Sequence, residues 1–416
     1  MIGHFLLCLS HRNPGRSQSI LSSSTMDIRS DPSKHGGKSM RQSTSVADSD
    51  SVLLATSLPE EIISNILIKL PVKSLIRFKS VCRSWRELIS DPIFVKAHLQ
   101  GNIQDKNYAH HGLIMENYNV RSCSLSSVLN EESSITTLDY SLKDQKQQIW
   151  IVNSVNGLVC IHSKSHIYIW NPSTRRVKRL PHYGIEIDPG DIISYGFGYE
   201  EANSDYKVVV IYRSECCFER PCKVEGKIYG LKTDSWRKID DFYIGKQLYE
   251  YAFCTFVSGS LNWAVYGGII ASFDLSKETC SVTKLPFYLK KGMICCSKLG
   301  NLSGSLCQLS YVYRTMTIDL WAMKEFGKVE SWSKMYSIPY QCEKGFLQSI
   351  FQHNASLIIS GKNKVLMLIG SALMLYNLET KTFTQPKIQN LRFLHDVETY
   401  IESLVSPHLM IPTTNH

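Results

Sequence analysis

The sequence predicts a two-part α+β protein, in which a short helical module is followed by a long all-β domain. Three observations predict this division. Apolar residues recur at helical spacing most clearly between residues 58 and 99. Beyond residue 150, short runs alternate apolar and polar side chains, as half-buried strands do. Five of these runs share a repeated phrase, which is typical of an architecture built from similar sheets.

Length and composition leave room for two or three globular domains, with 416 residues of which 43% are hydrophobic. The net charge of +9 is spread along the chain, without the block of like charges that marks a nucleic-acid-binding arm. Thirteen cysteines without a C-x-x-C pair indicate reduced thiols. We therefore expect a cytoplasmic and/or nuclear protein with no nucleic-acid partner. The apolar run at residues 5–9 is too short to span a membrane, so no membrane partner is expected.

Residues 1–51 are rich in Ser and Thr and poor in apolar side chains, which predicts a disordered tail. From Ser57 the pattern changes. Ser57 and Glu60 have capping-box spacing, and Pro59 suits the first turn of a helix. Apolar residues then follow at four-residue steps, and Leu70-Pro71 ends this helix.

A second helix is predicted from a three-four-three-four spacing of apolar residues on one face, ended by Asp91-Pro92. These positions are Leu75, Phe78, Cys82, Trp85 and Ile89. The module offers about ten large apolar side chains within about 35 residues, more than short helices cover by themselves. This excess predicts a surface for a partner. The simpler interpretation is that the helices pack on the large domain.

The stretch LPEEIISNILIKLPVKSLIRFKSVCRSWRELISDPIFVKAHL resembles an F-box, which places this module at residues 52–99. The resemblance implies docking onto the Skp adaptor of an SCF ubiquitin ligase. The residues that match the motif, and that it implies for adaptor binding, are Leu58, Pro59, Ile62, Ile66, Leu67, Leu70, Pro71, Val72, Leu75, Val81, Cys82, Trp85 and Ile89.

The β domain repeats a phrase of strand, polar turn and second strand. It occurs at residues 167–181, 227–239, 271–286, 317–335 and 373–386. The roughly 40–60-residue spacing fits propeller blades, which predicts five to seven of them, whereas a two-sheet sandwich is the competing fold. NGLVCI…IYIWNPSTRRVKRLP and the later phrases resemble the kelch-like F-box-associated domain of plant F-box proteins. We assign it residues 149–400, with a connector at 100–148 that holds one or two edge strands, and a C-terminal tail at 401–416.

Motifs that carry chemistry are absent from the sequence, including nucleophile elbows, P-loops and zinc-protease signatures. His110-His111 and the group Cys216, Cys217 and Cys222 lack metal-ligand spacing. Gly196-Phe-Gly198 is interpreted as a turn or bulge. We therefore predict no catalytic residues, no metal and no cofactor.

The two resemblances imply a non-catalytic substrate-recognition subunit of an SCF-type ubiquitin ligase. Its partners would be a Skp-type adaptor, a cullin through that adaptor, and a target protein of unknown identity. One alternative is a non-catalytic glycan- or ligand-binding kelch-like module that acts outside an SCF complex. An enzyme would require a convergent cluster of His, Tyr, Cys or carboxylate side chains on the central channel, and a nucleic-acid-binding propeller would require a basic, aromatic stripe.

Overall fold

The computed structural model describes residues 59–117, 119–131, 136–137, 149–163, 166–188, 190–215, 223–240, 254–265, 268–285, 293–294, 299–312, 315–339, 356–361, 363–369, 371–388 and 394–408. The predicted tail (1–51), Leu58 and the cysteines Cys216, Cys217 and Cys222 lie outside these ranges. The described helices and strands belong to one compact unit.

Four helices form the N-terminal part of this unit: α1 (Glu60–Leu67), α2 (Val72–Phe78), α3 (Arg83–Ser90) and α4 (Pro92–Ile103). A fifth short helix, α5 (Leu125–Leu129), lies within the β domain. None of the helices in the described ranges is long and apolar enough to cross a membrane.

In the described residues, the β domain consists of six antiparallel sheets, which are numbered as blades 1 to 6. Blade 1 contains β1 (His111–Asn117), β2 (Asn119–Ser124), β3 (Thr136–Thr137) and β25 (Asp396–Ile401). Blade 2 contains β4 (Ile149–Val155), β5 (Leu158–Ser163), β6 (Ile167–Asn171) and β7 (Arg176–Arg179). Blade 3 contains β8 (Ile192–Glu200), β9 (Asp205–Arg213), β10 (Val224–Gly230) and β11 (Ser235–Ile239).

Blades 4 and 6 each have four consecutive strands, as blades 2 and 3 do, whereas blade 5 has five described strands. Blade 4 contains β12 (Cys254–Val257), β13 (Ser260–Val265), β14 (Ile269–Asp274) and β15 (Thr279–Lys284). Blade 5 contains β16 (Met293–Ile294), β17 (Leu299–Leu302), β18 (Ser305–Val312), β19 (Thr317–Met323) and β20 (Trp332–Pro339). Blade 6 contains β21 (Ser356–Gly361), β22 (Lys364–Ile369), β23 (Ala372–Asn377) and β24 (Thr382–Thr384).

The blades form a closed ring, because the C-terminal strand β25 completes the first blade. It pairs antiparallel with β1, with His111 opposite Ile401 and Glu116 opposite Asp396. The inner strands β25, β4, β8, β12, β17 and β21 contact one another in this order, and β21 contacts β25. This arrangement is a six-bladed propeller, which confirms the predicted propeller and excludes the two-sheet sandwich.

The repeated phrases correspond to the two outer strands of blades 2 to 6. In three of these hairpins the turn begins with a side-chain oxygen that accepts two backbone amide hydrogen bonds, as at Asn171, Asp274 and Asn377. The residue four positions later then adopts positive φ, which closes the turn. These residues are Arg175, Glu278 and Lys381. The polar residues of the repeated phrase therefore form the hairpin turns.

The core lies between blades, since the inner and middle strands are buried on both faces. In β9, Val208 and Val210 pack towards blade 2, whereas Val209 and Ile211 pack towards blade 4. Gly196 lies in the middle of β8, where an added Cβ would be 2.9 Å from a side-chain carbon of Leu261. The glycine therefore permits close packing of neighbouring blades, and the predicted turn is not found there.

The domain boundaries in the structure differ from the predicted ones. The predicted connector (100–148) contains the end of α4 and the strands β1 to β3, and β1 lies between β25 and β2 instead of at an edge. The predicted C-terminal tail (401–416) begins with the last residue of β25. The difference arises because the partner of β1 is about 290 residues away, where no local pattern reveals it.

Candidate partner-binding surface

Three of the four helices of the N-terminal module begin after a proline or an aspartate, and α3 begins after Cys82. Pro59 and Pro71 precede α1 and α2, and neither provides a side-chain cap. Glu60 and Glu61 lie in the first turn of α1, where negative charge is favourable. Asp91 both ends α3 and caps α4, because its Oδ1 accepts hydrogen bonds from the amides of Ile93 at 2.7 Å and Phe94 at 3.2 Å.

The second predicted helix is interrupted in the structure. Helix α2 ends at Phe78 and α3 begins at Arg83, with Cys82 in an extended conformation between them. The Cys82 sulfur accepts a hydrogen bond from the Trp85 amide at 3.5 Å and so caps α3. Cys82 is consequently exposed, so the prediction of one continuous apolar face was wrong at this position.

Part of the predicted adaptor-binding set forms the core of the module itself. Leu67, Val72, Leu75 and Ile89 are each no more than 2% exposed and form one cluster with Phe94. Around them, Phe78 and Trp85 are in edge-to-face contact at 5.4 Å between ring centroids. These buried residues hold the helices together and do not offer a surface.

Five large apolar side chains remain exposed in the described part of the module, residues 59–99. Ile62 and Ile66 of α1 are 45% and 50% exposed, and Ile76 of α2 is 39% exposed. Val81, between α2 and α3, is 61% exposed, and Ile93 of α4 is 79% exposed. Since the module already has its own buried core, these side chains are available to a partner.

The structure thus divides the predicted site residues into three groups. The exposed ones are Pro59, Ile62, Ile66, Pro71, Val81 and Cys82. The half-buried ones are Leu70 and Trp85, and the buried ones are Leu67, Val72, Leu75 and Ile89. Leu58 lies outside the described residues. The sequence analysis missed two exposed residues, Ile76 and Ile93. They directly follow Leu75 and Pro92, and in a helix the next residue points to a different face.

Positively charged residues are frequent along α2 and α3, close in sequence to the exposed side chains of Ile76 and Val81. The cations are Lys73, Arg77, Lys79, Arg83 and Arg86, and the only carboxylate between residues 72 and 90 is Glu87. Arg83 Nε lies 2.8 Å from Glu87 Oε1, but both side chains are largely exposed, so this ion pair stabilises the fold little. The surface therefore suits a partner with apolar and acidic groups.

A chain of buried hydrogen bonds connects the helices to the end of the propeller. His98 Nε2 donates to the Leu70 carbonyl at 2.9 Å, and Asn102 Nδ2 lies 3.5 Å from His98 Nδ1. The second Asn102 Nδ2 hydrogen is donated to the Glu402 carbonyl at 2.9 Å. This pattern requires a neutral imidazole, and burial accordingly lowers the pKa of His98.

The inner strands β4, β12, β17 and β25 also line a cavity of about 450 Å³. Its lining includes Asn153, Thr255, Asn301 and Tyr400, and Tyr108 and Ile103 border it from the helical side. The described residues contain no group of three or more His, Cys, Asp or Glu placed to hold a metal ion. His110 Nδ1 lies 3.9 Å from Glu402 Oε2, and His111 begins β1.

A closed propeller joined to a helical module with exposed apolar side chains is an architecture typical of binding proteins. Comparison with known proteins agrees with this class. The F-box domain matches residues 56–96, and the F-box associated beta propeller domain matches residues 111–407. The chain therefore belongs to the plant F-box proteins with a C-terminal F-box-associated domain.

Relatives match along most of the chain. The F-box/kelch-repeat protein At3g23880 of Arabidopsis thaliana is 32% identical over 372 residues, which cover 85% of this chain and 96% of that protein. The F-box protein CPR1 of the same plant is 27% identical over 377 residues, which cover 84% of this chain and 89% of that protein. The F-box and these relatives support a general role as a substrate adaptor of an SCF-type ubiquitin ligase, and such proteins are typically non-catalytic.

Proposed function

We propose that the chain binds a Skp-type adaptor through its helical module and a target protein through its propeller, so that the target is ubiquitinated. The observation that carries this proposal is a set of five apolar side chains in residues 59–99 that stay exposed although the helices have a buried cluster: Ile62, Ile66, Ile76, Val81 and Ile93. Covering them with a partner would remove apolar surface from water, which favours association.

In this proposal the protein positions the target and does not catalyse a reaction. The adaptor, and a cullin through it, would bring the ubiquitin-transferring subunits to the helical end. The propeller would hold the target, which raises the local concentration of its lysines and restricts their orientation. No step of bond making or breaking is assigned to a residue of this chain.

The surface is tested by placing one charge at the centre of α1. Full-length chains that carry Ile62→Glu or Ile66→Glu are co-expressed with a Skp-type adaptor, and the affinity of each purified chain is measured by titration. We expect at least about 30-fold weaker binding for each variant, because a carboxylate would be desolvated against an apolar partner surface. Both positions are already exposed, so the free protein should melt at the wild-type temperature.

Val282→Glu provides the matched control, since Val282 is 44% exposed but lies on the outer strand β15. Its affinity for the adaptor should equal that of the wild type. Wild-type affinity in Ile62→Glu and Ile66→Glu would reject the proposed surface. The alternative function, a ligand-binding module outside an SCF complex, would then be favoured, and the cavity lined by the inner strands would be the place to look for the ligand.

A further inference from the structure

The chain does not end where the propeller closes. After β25, residues 402–408 pass between the helical module and blade 2 and contact both. Glu402 contacts the helices through its backbone and its carboxylate. Its amide donates to the His110 carbonyl at 2.8 Å, and its carbonyl accepts from Asn102 Nδ2 at 2.9 Å. Its carboxylate lies beside the Val72 amide at the start of α2, a helix that has no side-chain cap from Pro71, although the two residues are 330 positions apart in the sequence.

Leu404 then completes the core of the helices. It is 8% exposed and belongs to the cluster of Leu67, Val72, Leu75 and Ile89. All other members of this cluster lie between residues 63 and 95. A module of this size cannot enclose a core by itself, so one leucine from outside is a large share of it.

The same segment is held by blade 2. Asn171 is fully buried, and its Nδ2 donates to the Ser403 carbonyl at 3.0 Å and the Val405 carbonyl at 2.7 Å. Gly157 allows the close approach, since an added Cβ would lie 2.3 Å from Ser403 Oγ. Further along, His408 Nε2 lies 3.1 Å from the Val177 carbonyl.

We propose that residues 402–408 are a positioning element that joins the helices to the propeller, with Glu402, Leu404 and Asn171 as its positioning residues. The element makes the stability of α1 to α4 depend on an attachment to blade 2. The role of this element in ubiquitination rests on the proposed function, because helices fixed to the propeller would orient a bound target relative to the ligase. The structural role of the element does not rest on that function, so it is tested on the full-length chain without any partner.

The test compares amide hydrogen exchange in two pairs of variants. Leu404→Ala removes the core contact, and Leu285→Ala removes an equally buried leucine from blade 4. Asn171→Asp keeps the side-chain oxygen that forms the turn but replaces the donor to residues 403 and 405. Asn377→Asp makes the same change at the equivalent turn of blade 6, and Asp274 shows that aspartate forms this turn.

We expect amides of α1 to α4 to exchange about tenfold faster or more in Leu404→Ala and in Asn171→Asp, and at the wild-type rate in Leu285→Ala and Asn377→Asp. Leu404→Met, which conserves volume, should restore protection. Wild-type exchange of the helices in Asn171→Asp would overturn the proposal, even if Leu404→Ala unfolds the module. Adaptor binding is measured separately, so a failed Skp interaction would not be mistaken for a failed positioning element.

Discussion

The helical module and the propeller bury their apolar side chains in different ways. Each blade is covered by its two neighbours, and the ring of six leaves no blade without a partner. The helices share one small core that includes Leu404 from the C-terminal segment, and residues 59–99 still expose five large apolar side chains. The blades therefore cover one another, whereas the helical module takes a core residue from the C-terminal segment and leaves apolar side chains exposed.

The largest expected effect comes from opening the ring. Val397 of β25 is 3% exposed and packs with Leu113 and Leu366, which belong to blades 1 and 6. Val397→Asp would bury a charge at the seam, and we expect a loss of about 3–5 kcal/mol in the free energy of unfolding. Denaturant titration of the full-length chain measures it. Val282→Asp on the exposed outer strand should change it by less than about 1 kcal/mol, and equal effects of the two variants would contradict closure by β25.

A smaller effect is expected at Glu116, which faces Asp396 across the same seam. Burial, and then the charge of Asp396, raise the pKa of Glu116 from 4.5 to about 8. The unfolded chain loses this proton above about pH 4.5 while the folded chain keeps it, so stability falls as pH rises towards 8. Glu116→Gln should therefore raise the free energy of unfolding by roughly 2–4 kcal/mol at pH 7.5, and by less than about 1 kcal/mol at pH 5.

Denaturant titrations at the two pH values test this sign. The exposed Glu330 provides the control, because Glu330→Gln should have no comparable effect at either pH. A loss of stability in Glu116→Gln at pH 7.5 that shrinks at pH 5 would show that the folded carboxyl is ionised and stabilised instead.

The smallest expected effect lies in the helical module and has the opposite sign. Burial lowers the pKa of His98 from 6.5, so the unfolded chain takes up a proton near that pH while the folded chain does not. The helices should lose stability as pH falls from 7.5 to 5.5. Glutamine can donate to the Leu70 carbonyl and accept from Asn102, so His98→Gln should flatten this dependence. The exchange rate of α4 amides at both pH values measures it, and an unchanged slope would contradict a neutral His98.

Local patterns predicted much of this architecture. The five repeated phrases mark the outer hairpins of blades 2 to 6, because each phrase carries the strand alternation and a turn that its own side chains close. Blade 1 has no such phrase, since α5 lies between β2 and β3 and its inner strand comes from the C-terminus. The repeated phrase therefore could not reveal blade 1, in which β25 closes the ring.

The site shows the same limit. Helical spacing identified the buried residues Leu75 and Ile89 as readily as the exposed Ile62, because periodicity reveals an apolar face without showing what covers it. Cys82 was assigned to that face, but it caps α3. The contribution of Leu404 was beyond prediction, since it depends on a contact over more than 300 residues.

The position of β25 also has a consequence for synthesis of the protein. His111 pairs with Ile401, so blade 1 cannot be completed until about 290 further residues have been translated. This takes roughly 15–60 s at common elongation rates. Leu404 leaves the ribosome later still. Throughout that interval the nascent helices lack their last core residue and expose apolar surface, so an adaptor or a chaperone that bound them early would protect the unfinished chain.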